Sequence, residues 1–190
     1  MFHPLVFDNI RVVLEGTMYE RDFDGDITIS GRSDIMDMAI FKRQFQVEFR
    51  LAQRDGDDPH TVWARLQLAT TLADIAAEQL EEPLLTEVIG CTICIHFYMR
   101  VYDVPAEAPE IAELLNQVWG NRPSVTQTLK TDLDEHLLNW PPRYFVNQVT
   151  LDFQRKITEG NIEDLRDLLD HTIKSLLALQ EFADQRSKTG

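Results

Sequence analysis

EVIGCTICIHFYMRVY, residues Glu87 to Tyr102, separates by parity into two chemically different faces. The odd positions Ile89, Cys91, Ile93, Ile95, Phe97, Met99 and Val101 are all apolar, whereas the even positions after Val88 run Gly90, Thr92, Cys94, His96, Tyr98, Arg100 and Tyr102. Side chains alternate across a strand, so this segment is expected to bury one face and present the other. A sheet covered on one side and open on the other is characteristically antiparallel.

Working outward, the same period recurs. Phe41, Phe45, Val47, Phe49 and Leu51 oppose Lys42, Gln44, Gln46, Glu48 and Arg50, and Phe145, Val149, Leu151 and Phe153 oppose Tyr144, Gln148, Thr150 and Asp152. Ile10, Val12, Leu14, Gly16 and Met18 read as an earlier strand that presents Arg11, Glu15 and Tyr19 and reverses at Asp24-Gly25 into Ile27–Ser30. The period lengthens to that of a helix over about 59–81. There Asp58 stands as cap, Pro59 opens the first turn, and Val62, Leu66, Ala69, Leu72, Ala73, Ala76 and Leu80 form the stripe. Further helices are expected over Pro109–Trp119, stopped by Gly120, and over 124–137, where Ser124 and Gln127 have capping-box form and Pro141-Pro142 ends the run. A last helix starts near Asn161. The order βββαβααβα describes one α+β domain over residues 1–190, a mainly antiparallel twisted sheet of about five strands with four helices packed on one face.

A chain of 190 residues can build one core without disulfides or structural metal. The formal charge of −14 disfavours nucleic acid, whose phosphates require a basic footprint. The excess has an address, since residues 66–119 hold nine acids against the single base Arg100. Two cysteines make no disulfide framework, which points to a reducing cytoplasm. The opening MFHPLVFDNIRVVLEG lacks a basic leader, and Asp8, Arg11 and Glu15 interrupt its apolar residues, so it reads as neither a secretory signal nor a membrane span.

Several eye-catching motifs dissolve on their chemistry. Asp22, Asp24 and Asp26 have the spacing that opens a calcium loop, but Ile27 and Ser33 occupy the positions that need Gly and a bidentate carboxylate. Cys91-Thr-Ile-Cys94 has CxxC spacing, yet three residues along a strand put the two sulfurs on opposite faces. Asp132 and His136 share a helix face as two ligands at most, too few for a metal site. No nucleophile elbow, HExxH or Gly-rich phosphate loop occurs, so the chain leans away from catalysis.

Two surfaces remain. The polar sheet face gathers Arg50, Tyr98, Arg100 and Tyr102, residue types favoured at interfaces. The helix expected over 59–81 carries Asp74, Glu78, Glu81 and Glu82 as an acidic stripe near its C-terminus, where the helix dipole opposes negative charge. The expectation is a non-catalytic cytoplasmic protein-interaction module, homodimeric, without cofactor or metal, that binds a protein partner through either surface. The stripe would steer a basic partner. The competing expectation is a small-molecule binder or enzyme with its pocket over the sheet. There Arg50 and Arg100 would hold an anion and His96 or Glu48 would exchange protons.

Overall fold

The alternation of residues 87–102 is realised as a long central strand, Cys91–Val101, in a computed structural model that describes residues 5–80, 90–132 and 142–187. In chain order the elements are α1 (Leu5–Phe23), β1 (Ile27–Asp37), β2 (Lys42–Leu51), β3 (Trp63–Thr70), α2 (Leu72–Leu80), β4 (Cys91–Val101), α3 (Val104–Trp119), β5 (Ser124–Lys130), β6 (Phe145–Ile157) and α4 (Asp164–Ser187). The fold is α+β, with a six-stranded open sheet in the order β1-β2-β3-β4-β6-β5 and every neighbouring pair antiparallel.

Register turns the parity of single strands into layers. Val47, Leu66, Ile95, Leu151 and Val125 lie in one row across β2, β3, β4, β6 and β5. The odd residues of β4 from Cys91 to Val101 are all buried. α4 lies against this face through Leu165, Leu169, Leu176 and Leu179, and α1 and α3 pack beside it. Polar ties fix the helices: Trp119 Nε1 donates to Ser175 Oγ at 2.8 Å, joining α3 to α4. The buried Gln180 accepts from Val62 N at 2.8 Å and donates to His60 O at 3.0 Å, which anchors the entry to β3. Gly90 enters β4 where a Cβ would lie 2.3 Å from Ile157 O, so only glycine fits. Gly120 ends α3 at φ 60°, as expected of a left-handed cap. Among the described residues no helix is long and apolar enough to cross a membrane.

Three segments depart from the sequence expectation. Residues 10–19 belong to α1, so Arg11, Glu15 and Tyr19 are not on the sheet. Residues 63–70 form β3, and the helix expected over 59–81 is confined to α2. Residues 124–130 form β5, and the rest of the helix expected to reach 137 lies largely outside the described residues. One cause explains the first two. Positions four apart share parity, so Ile10, Leu14 and Met18, or Val62 and Leu66, satisfy a strand and a helix equally. The intervening positions decide. Val12 is exposed between buried Ile10 and Leu14, whereas Ala64 is buried between buried Val62 and Leu66. Asp58 also does not cap a helix. Its Oδ1 accepts from His60 N at 2.9 Å in a local turn. Asp24-Gly25 does reverse the chain, but between α1 and β1, with Gly25 at φ 80°.

Candidate interaction face on the open side of the sheet

The even residues of β4 form the opposite layer. Glu48, Arg65, His96, Thr150 and Thr126 make one row across β2, β3, β4, β6 and β5, and Trp63, Tyr98, Gln148 and Thr128 make the next. Three guanidinium groups stack on aromatic rings across this face: Arg50 over Trp63 at 5.2 Å, Arg65 over Tyr98 at 5.1 Å and Arg100 over Tyr144 at 4.1 Å. The first two stacks join β2 to β3 and β3 to β4, the third joins β4 to Tyr144 just before β6, and each holds a flexible cation against a ring. Tyr144 is also 6.2 Å from Tyr102, which lies 6.3 Å from His60. Lys130 Nζ donates to Gln148 Oε1 at 2.7 Å, adding a further cation to the edge beside β6.

The chemistry within this layer is unequal. Glu48 is engaged by Arg65, with Nε at 2.9 Å and Nη2 at 2.6 Å. Arg50 donates to a carbonyl, Arg54 O at 2.9 Å, rather than to a carboxylate. His96 Nδ1 sits 3.0 Å from Thr150 Oγ1. Burial, then the nearby charges of Arg65 and Lys130, push its pKa below the usual histidine value. Burial likewise raises the Tyr98 hydroxyl. Arg65 stands between Glu48 and His96 in the row, so the two do not assemble as an acid–base pair. A hollow of about 200 Å³ opens among Glu48, Trp63, Ala64, Arg65 and Tyr98 and includes neither His96 nor Arg100.

The remaining predicted residues lie elsewhere. Asp74 is buried, paired with Lys156 Nζ at 2.7 Å and with the Thr71 hydroxyl at 2.7 Å. Glu78 Oε1 accepts from Leu5 N at 2.7 Å and Val6 N at 3.2 Å, capping α1. These two acids of the stripe are therefore engaged by their own fold, while Glu81 and Glu82 lie outside the described residues. Cys91 faces the core, where burial, reinforced by Asp74 and Glu78, pushes its thiol up to about 12, and Cys94 faces the opposite side. Asp22 Oδ1 accepts from Ile29 N at 3.2 Å and Asp26 pairs with Arg21 at 3.1 Å. His136 falls outside the described residues.

Sequence reasoning missed Trp63, Arg65 and Lys130, because β3 and β5 read as helices. It also missed a larger cleft of about 870 Å³ between the end of α3, β6 and the start of α4. Its floor holds Trp119, 5.3 Å from Phe153 and 5.4 Å from His171, and its rim mixes Arg122 and Arg155 with Asp164 and Asp167. No spacing in the chain links these residues, which only tertiary packing brings together. No family model matches this chain, and neither curated proteins nor solved structures give a match.

Proposed function

We propose that this protein is a non-catalytic interaction module whose open sheet face binds an acidic segment of a partner protein, and that it works as a homodimer. Three arginine-on-aromatic stacks carry the proposal. Arg50, Arg65 and Arg100 are held on aromatic rings of one face, with Arg65 also paired to Glu48, in a chain whose net charge is −14. Arginine and tyrosine supply apolar contact area and hydrogen-bond donors at low ordering cost, as binding hot spots require. The partner this face favours is acidic, in contrast to the basic one that the stripe alone suggested.

The hollow by Trp63 is smaller than the roughly 300–1,000 Å³ of typical small-molecule pockets, which favours an extended protein segment over an enclosed metabolite. The separation of Glu48 from His96 by Arg65 argues in the same direction. Two thiols on opposite faces suit a reducing cytoplasm.

An NMR titration tests this directly. An acidic peptide with interspersed aromatics should shift the amide resonances of Arg50, Trp63, Arg65, Tyr98 and Arg100, and raised salt should weaken its binding. Shifts confined to α1 or to the Trp119 cleft would overturn the proposal, as would tighter binding of single-stranded oligonucleotides at the same face.

A further inference from the structure

On α1 the residues turned away from the sheet recur at 5, 9, 12, 16, 19 and 23, namely Leu5, Asn9, Val12, Gly16, Tyr19 and Phe23. Alternating steps of four and three keep them on one side of the helix, opposite the buried Phe7, Ile10, Leu14 and Met18. Phe23 is 92% exposed, Leu5 62%, Val12 58% and Tyr19 47%. Single apolar side chains at a surface are ordinary, but four exposed ones recurring along one side of a helix, spaced by Asn9 and Gly16, suit an interaction site.

We infer that this row packs against the same row of a second copy of the chain, α1 against α1 in antiparallel orientation about a two-fold axis level with Leu14. The spacing reads the same in both directions, which is what a self-complementary contact needs. In an antiparallel pair Leu5 meets Phe23 of the second copy, Asn9 meets Tyr19 and Val12 meets Gly16. The Asn9 amide nitrogen already donates to Glu159, and its Oδ1 is left to accept from the opposing Tyr19 hydroxyl. A Cβ at Gly16 would meet no atom within 4 Å, so nothing in its own fold demands glycine there. Glycine inside a helix is destabilising relative to alanine, and close approach of a second helix at Val12 supplies its reason. The acids beside the row are paired in place, Glu15 with Arg11 and Arg32, Asp8 with Arg43, and the exposed Glu20 with Arg166. Two such helices bury on the order of 1,000 Å² in total, near the lower limit of specific interfaces, which suits a reversible dimer.

This inference deepens the homodimer part of the proposed function and stands apart from the sheet face. Sedimentation equilibrium of the full chain alone, over a micromolar dilution series, should show twice the 22.0 kDa chain mass giving way to 22.0 kDa. Gly16→Gln and Phe23→Ser should each weaken the dimer by about tenfold or more while leaving the melting temperature of the dilute monomer unchanged or higher. Leu5→Lys and Phe23→Glu should each disrupt it alone and restore it when combined, because antiparallel packing sets the two new charges against each other. A strict monomer throughout the series overturns the inference, as does a double variant weaker than either single. A mass that follows Arg100→Glu on the sheet face rather than the α1 variants also overturns it. Failure of the acidic peptide to bind would leave this result untouched.

Discussion

At the residue scale, His96 shows how the open face controls charge. Its folded pKa is lowered by burial, Arg65 and Lys130, from an unfolded value of about 6.5. Above the unfolded pKa both states are neutral and His96 has no effect on stability. As pH falls through that value the unfolded chain takes up the proton first, so stability declines until the lower folded pKa is reached. Replacing His96 with Gln should remove this loss. Urea unfolding at pH 7.5 and 5.5 should therefore show the variant gaining on the parent at the lower pH. Equal loss in both proteins would contradict the burial of His96 beside two cations. An acidic segment bound over the face would add the opposite influence and raise the His96 pKa. His96, Tyr98 and Arg100 were legible as face residues because β4 alternates without interruption. Arg65, which separates Glu48 from His96, was not, because Val62 and Leu66 fit a helix as well as a strand.

At the scale of elements, β4 offers a parity test. Phe97 is fully buried between Ala64 and Val149, whereas Thr92, on the other face, is exposed. Phe97→Ala should cost about 3–5 kcal/mol, and Thr92→Ala about 0.5 kcal/mol or less. Chemical denaturation of the two variants checks the difference, and comparable losses would mean that the strand is buried on both faces. The elements most legible in sequence were those whose period had no rival: β2, β4, β6, α3 and α4. α1 and β3 were harder because their apolar residues repeat at four, which is even. In α1 the decisive evidence lay in Phe7, which extends the buried row to 7, 10 and 14, steps no strand can follow.

At the scale of the molecule, charge and shape separate. The net −14 conceals a sheet face where Arg50, Arg65, Arg100 and Lys130 are held by rings, a carboxylate and an amide, while Glu107, Glu110 and Glu113 of α3 and Asp74 of α2 belong to the helices. Sequence position alone assigned the acidity to residues 66–119, but the fold engages Asp74 with Lys156 and sets Glu107 to accept from Asp103 N at 2.9 Å. The acids that looked available in sequence are thus partly consumed by the structure, and Arg65 and Lys130 join Arg50 and Arg100 on the open face. The most direct measurement is the affinity of an acidic aromatic peptide for the parent and for the Arg50→Glu, Arg100→Glu double variant, at low and moderate salt. The double variant should bind about tenfold more weakly or worse, with a flatter salt dependence, and should stay folded with a melting temperature lowered by a few degrees, since two arginine stacks are lost. Affinity and salt dependence equal to those of the parent would contradict the assignment of the open sheet face as the binding surface.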